Sequence, residues 1–136
     1  MSEKILSGNR ILIVEDEPIF LKNIAASLRR EGYEVTEATN GADAWKILSV
    51  ASIDLLILDV GLPDYDGLDL LRAVRTIHPW LPAVVMTARD SLEVENRAIE
   101  SGASVFFTKP IALRALKEKI RTMEGKRNTE RSGSER

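Results

Sequence analysis

The run Leu55-Leu56-Ile57-Leu58 is apolar at every position and leads straight into Asp59. A strand sends successive side chains to opposite faces, so a strand of this composition has no face fit for water. It must be covered on both sides, as in a parallel sheet sandwiched between layers of helices. With Asp59 and Val60 included, this run is one of five short strand-like segments. The others are Ile11 to Val14, Glu34 to Ala38, Ala83 to Thr87 and Val105 to Thr108.

The stretches between these runs carry helical spacing. Leu21, Ile24, Ala25 and Leu28 fall at i, i+3, i+4 and i+7, which makes one buried stripe. Trp45 and Leu48 repeat the pattern, as do Leu70, Leu71, Val74 and Ile77, and then Leu113, Leu116, Ile120 and Met123; residues 91 to 101 carry it most weakly. The punctuation agrees: Pro18 suits a first helical turn, Gly32 and Gly102 suit helix ends, and Asn40-Gly41 and His78-Pro79 suit turns. Strict alternation of strand and helix predicts an α/β fold, a three-layer (βα)5 doubly wound parallel sheet. Right-handed crossovers favour the flavodoxin-like strand order 2-1-3-4-5. The 136 residues allow one domain, expected over 10 to 123. Residues 1 to 9 form an N-terminal extension, and the polar residues 124 to 136 read as a tail or linker.

Composition then removes several chemistries. There is no cysteine and only one histidine, His78, so thiolate sites, disulfides and multi-histidine metal centres are excluded and any metal must be held by oxygen. Residues 1 to 120 carry 14 Lys/Arg against 18 Asp/Glu, which gives no compositional support for nucleic-acid binding. No apolar run approaches the roughly 18 residues of a membrane helix, and the opening Met1-Ser2-Glu3-Lys4 is not a signal peptide. The chain is read as cytoplasmic, with neither a membrane nor a nucleic-acid partner.

In open α/β sheets ligands bind beyond the carboxyl ends of the strands, where strand order reverses. Four runs end there on chemically useful residues: the first on Glu15-Asp16-Glu17, the third on Asp59, the fourth on Thr87, the fifth just before Lys109-Pro110. Glu15, Asp16 and Asp59 would crowd three carboxylates into one cleft, which is costly unless a cation compensates. A shallow site of few oxygen ligands suits Mg²⁺ better than Ca²⁺. Acids ahead of Pro18 also complement a helix dipole, and Glu17 is expected to do only that. Asp59, at the edge of a buried strand, is poorly placed unless used. Beside Mg²⁺ such a carboxylate can attack phosphorus and become an acyl phosphate. Thr87 can donate to a phosphoryl oxygen, and the Lys109 ammonium can reach either that oxygen or Asp59.

Taken together, Glu15-Asp16, the stretch Asp59-Val60-Gly61-Leu62-Pro63-Asp64-Tyr65-Asp66-Gly67, Thr87-Ala88, Gly102-Ala103 and Lys109-Pro110 closely resemble the receiver domains of two-component response regulators, the CheY-like superfamily. The resemblance spans residues 10 to about 123. It implies that Asp59 accepts a phosphoryl group from the phosphohistidine of a sensor histidine kinase or phosphotransfer protein. It implies Mg²⁺ held by Asp16, Asp59 and the Gly61 carbonyl, with Glu15 acting through water and Thr87 and Lys109 on phosphoryl oxygens. Thr87 and Phe106 would form the switch, and Gly61 and Arg89 would tune the phosphoryl lifetime. Output would pass through the surface of the fourth helix, fifth strand and fifth helix, which is also a possible homodimer face. Such a domain catalyses only its own phosphorylation and slow dephosphorylation. Two features depart from the common pattern: Glu15 stands where Asp is frequent, and Phe106 has no hydroxyl, so its signalling must rely on packing. The competing readings are a Mg²⁺-dependent phosphohydrolase with an aspartyl-phosphate intermediate, a flavin module and a purely structural interaction domain. The acidic loop after the first strand disfavours flavin, and the phosphohydrolase lacks a lid-sized insertion.

Overall fold

A computed structural model describes residues 8–89 and 91–134, with side chains as far as Met123. Five strands alternate with five helices: β1 (Arg10–Val14), α1 (Pro18–Arg30), β2 (Glu34–Ala38), α2 (Gly41–Val50), β3 (Leu55–Asp59), α3 (Gly67–Ile77), β4 (Ala83–Thr87), α4 (Leu92–Glu100), β5 (Val105–Thr108) and α5 (Leu113–Ser134). The sheet is parallel throughout, in the order β2-β1-β3-β4-β5. The expected architecture and strand order are therefore observed.

Alternation along the strands divides the core in two. Ile11, Ile13, Leu55, Ile57, Val84 and Met86 face α1 and α5, where Leu21, Ile24, Leu28, Leu116, Ile120 and Met123 meet them. Leu12, Val14, Leu56, Leu58, Ala83 and Val85 face the opposite layer, packing on Ala44 and Leu48 of α2, Leu68, Leu71 and Val74 of α3, and Ala98 of α4. Each fully buried Leu or Ile is worth about 1.5–3 kcal/mol. Slipping a strand by one residue would exchange the two clusters, so the apolar pattern itself fixes the register.

Local signals set the element ends. Glu17 caps α1, its carboxylate accepting the amides of Phe20 at 2.7 Å and Ile19 at 3.4 Å, and Pro18 occupies the first turn. Glu17 thus stands at the start of α1, where it is expected to complement the helix dipole, and it also bonds the first amides directly. Gly32 and Gly102 close α1 and α4 with φ of +99° and +101°, a region costly for residues with a Cβ. The Arg75 guanidinium locks the far end of α3 by donating to the carbonyls of His78, Leu81 and Gly102 at 3.0, 2.6 and 2.5 Å.

Two expectations need correction. Trp45 is not part of the buried stripe of α2; Gly41, Ala44 and Leu48 are, while Trp45 is exposed, because its position lies one step round the helix from the face that meets the sheet. Ile77 is likewise exposed at the end of α3, beyond the edge of the apolar layer. The α5 backbone runs on to Ser134 through the residues read as a tail. The weak pattern of residues 91–101 has a structural counterpart, since only Val94 and Ala98 of α4 are buried.

Candidate functional site

The carboxyl end of the sheet gathers the site. The amide of Glu15 donates to the Ala38 carbonyl at 3.0 Å, which extends the β1–β2 pairing by one residue and turns the Glu15 side chain inward. Glu15 is completely buried, whereas Asp16, the next residue on a turning backbone, is exposed. Asp59 ends β3 and is 5% exposed, and Thr87 ends β4 and is 2% exposed. The Lys109 amide donates to the Thr87 carbonyl at 2.7 Å, continuing the β4–β5 ladder and aiming the ammonium along the rim.

Glu15, Asp16 and Asp59 each offer a carboxylate oxygen within 4.8 Å of the others. Lys109 Nζ stands 2.8 Å from Glu15 Oε1 and 3.4 Å from Asp59 Oδ1. The nearer partner is thus Glu15, which the sequence reading did not foresee; the extra methylene of Glu15 carries its carboxylate across to the lysine. The second oxygen of Glu15 accepts the amide of Glu17 at 3.0 Å.

Burial sets the electrostatics. Removal from water pushes the Asp59 carboxyl above its ordinary range, against the charge and hydrogen bond of Lys109 and a hydrogen bond from the Gly61 amide, with the Asp16 charge adding to the rise. Glu15 is raised for the same reason, its bonds from Lys109 and Glu17 only partly offsetting its burial. For Lys109, burial acts to lower the pKa, but the hydrogen bond it donates to Glu15 and the charges of Asp59 and Glu15 together outweigh it and hold the ammonium above its usual value. A single cation thus serves two buried carboxylates beside a third that is exposed. The set carries net negative charge, and three hard oxygen donors fit a divalent cation such as Mg²⁺.

In front of Asp59 lies an open pocket of about 480 Å³ lined by the loop from Val60 to Asp66, by Thr87, Ala88 and Arg89, and by Lys109. Thr87 Oγ1 accepts the amide of Arg89 at 3.0 Å, which uses a lone pair and leaves the hydroxyl hydrogen for another acceptor. Two further acids line the pocket but serve the scaffold. Asp64 accepts the amides of Gly41 and Ala42 at 2.8 and 3.0 Å, bonds that hold its carboxyl below the usual range and cap α2 from another loop. Asp66 caps α3 through the Leu68 amide at 2.8 Å, and its other oxygen faces Arg97 of α4 at 3.5 Å.

Gly61 and Arg89, the expected tuning positions, are both exposed in the pocket wall. The phenylalanines of β5 separate as alternation requires. Phe106 packs with the α2–α4 layer and Phe107 with the α1–α5 layer, each half-buried. One contact was not anticipated: the Phe20 ring, in the first turns of α1, lies under Lys109 Nζ, with 4.8 Å from the nitrogen to the ring centroid. The available signal was an aromatic residue one turn beyond an acidic loop and one position before the buried stripe.

Comparison with known proteins agrees with this geometry. The family described as "Response regulator receiver domain" matches residues 11–121. The response regulator protein PmrA of Pseudomonas aeruginosa is 39% identical over 114 residues, covering 84% of this chain and 52% of its own length. The sensor histidine kinase RcsC of Salmonella typhi is 37% identical over 110 residues, covering 81% of this chain but 12% of its own. The chain spans about half the length of the curated transcriptional regulators it matches. Among solved structures, a CheY-like response regulator receiver domain protein from Methanospirillum hungatei superposes with a TM-score of 0.85 at 31% identity, covering 91% of this chain and 99% of that one.

Proposed function

Because the chain belongs to the response regulator receiver domain family, we propose that Asp59 is the residue through which it performs the family's phosphoacceptor role in two-component signalling. An Asp59 carboxylate oxygen attacks the phosphorus of a phosphohistidine on a sensor histidine kinase or phosphotransfer protein. The P–N bond breaks and the imidazole leaves with the electron pair. Water later attacks the acyl phosphate, releasing inorganic phosphate and restoring the carboxylate. The observation that carries this reading is the placement of Asp59: buried, raised in pKa, and facing an open pocket beside Lys109 and Thr87.

Asp16, Asp59 and the Gly61 carbonyl would hold Mg²⁺, with Glu15 acting through water. When bound, the ion supplies positive charge against the incoming phosphoryl oxygens. Lys109 orients a phosphoryl oxygen, and Thr87 donates its free hydroxyl hydrogen to another. The oxyanion draws Thr87 towards it, Phe106 moves into the space released, and α4, with only two buried residues, shifts with β5 and α5. That surface is where partners read the state, a second copy of the chain among them. The proposal places the protein in the cytoplasm, in keeping with the fact that no helix among the described residues is long and apolar enough to cross a membrane.

Acetyl phosphate with Mg²⁺ should label the wild-type chain at one site, and chelation of the metal should prevent it. Continuous turnover of p-nitrophenyl phosphate would point to a phosphohydrolase and contradict the assignment. Phe106→Ala should still take the label. The phosphorylation-dependent change in partner affinity, roughly 5- to 150-fold for switches of this kind, should fall towards one when measured by titration calorimetry. Retention of the full change would remove Phe106 from the switch. A side chain at Gly61 would meet nothing closer than Asp59 Oδ2 at 3.9 Å. Substitutions there and at Arg89 should therefore change the decay of the label more than the melting temperature.

A further inference from the structure

Lys109 has three neighbours at the site, and they differ in what else they must do. Glu15 and Asp59, at 2.8 and 3.4 Å, both belong to the carboxylate cluster suited to a divalent cation. As those carboxylates turn towards a divalent cation they become poorer partners for the ammonium, which the like charge of the cation repels. The third neighbour is the Phe20 ring, 4.8 Å from Nζ. Its attraction comes from the negative face of the π system, which a hard, hydrated divalent ion does not compete for when carboxylates are at hand. The ring is also firmly placed. The Phe20 amide is bound by the Glu17 carboxylate at 2.7 Å, and the side chain packs against the α1–α5 core. The Lys109 side chain is only 22% exposed, so the interaction is partly desolvated and stronger than on an open surface.

We infer that Phe20 is a positioning residue for Lys109, its ring keeping the ammonium at the phosphoryl pocket while Glu15 and Asp59 are engaged with metal and before a phosphoryl group arrives. The inference rests on the proposed acceptor role of Asp59.

The test separates ring electronics from ring shape. Site-specific replacement of Phe20 by 4-fluoro-, 3,5-difluoro- and 3,4,5-trifluorophenylalanine keeps the ring but drains its negative face. Labelling by acetyl phosphate at saturating Mg²⁺ should slow step by step, reaching about three- to tenfold in the trifluoro protein and in Phe20→Leu, while Phe20→Trp should keep the wild-type rate. Independently of labelling, the ε-methylene protons of Lys109 should resonate upfield of their position in Phe20→Leu, both without metal and with Mg²⁺ added. A flat fluorine series in a chain that labels normally, or loss of the upfield shift once Mg²⁺ is added, overturns the inference while leaving the acceptor assignment standing. A wild-type chain that takes no label overturns the acceptor assignment and this inference with it.

Discussion

Replacing Asp59 by Asn should abolish phosphorylation and, in the metal-free protein at neutral pH, make the fold more stable. Loss of labelling follows from chemistry, because an amide has no anionic oxygen to attack phosphorus. The gain in stability follows from electrostatics. The Asp59 carboxyl is pushed up by burial despite the nearby ammonium, so its ionised form is favoured less in the fold than in water. A raised folded-state pKa means that the native chain binds a proton more tightly than the unfolded chain does. Stability is then highest below the ordinary carboxylate pKa and falls as pH rises from there through the raised one. Above that window the ionised group costs the fold free energy, which Asn removes because it is isosteric and neutral. Lys109 keeps its 2.8 Å partner Glu15, so the substitution strands no charge. Asp59→Asn should accordingly melt several degrees higher at pH 7, with a shallower fall in stability across the weakly acidic range. Equal or lower stability would mean that the Lys109 attraction outweighs desolvation. Persistent label would move the acceptor to another residue.

Gly67→Ala should lower stability by about 2–4 kcal/mol, on the order of 10 °C, and slow labelling as well. Gly67 opens α3, and its amide donates to the Val60 carbonyl at 2.7 Å, drawing the helix start onto the end of β3. A Cβ built there would fall on the carbonyl oxygen of Asp59 and within 2.7 Å of Val60 Cα. The three atoms nearest to it all belong to the backbone, so the closest overlaps cannot be relieved by a side chain swinging aside. Ala has the better helix propensity by about 1 kcal/mol, but the overlap is larger and of opposite sign. Relief requires moving either the start of α3 or the backbone that carries the acceptor, which is why stability and phosphorylation should fail together. A stable, normally labelled Gly67→Ala protein would show that the loop from Val60 to Asp66 is looser than its hydrogen bonds imply.

The acidic pair, Asp59, Thr87 and Lys109 could be singled out from sequence because each stands at the end of an apolar run, and a parallel sheet brings all such ends to one rim. The stripe of α1 was equally plain, with Leu21, Ile24, Ala25 and Leu28 all buried. Trp45 misled because hydrophobicity was read without its angle: Ala44, one position earlier, holds the face against the sheet. Asp64 and Asp66 gave no hint that one caps α2 from a different loop and the other turns towards Arg97, since both roles depend on contacts across the fold.

Periodicity, turn residues and the position of acids after apolar runs were enough to determine the layers, the strand order and the residues of the rim, because those properties follow from which side chains water rejects and from the few right-handed ways to connect parallel strands. Only the tertiary structure decided that Lys109 sits nearer Glu15 than Asp59, that Phe20 lies beneath it, and which of Phe106 and Phe107 packs with α4. The first two turn on small differences in distance between side chains far apart in sequence, and the third on the register of β5 against β4. Both are fixed by how the whole core packs, which no local stretch of residues encodes.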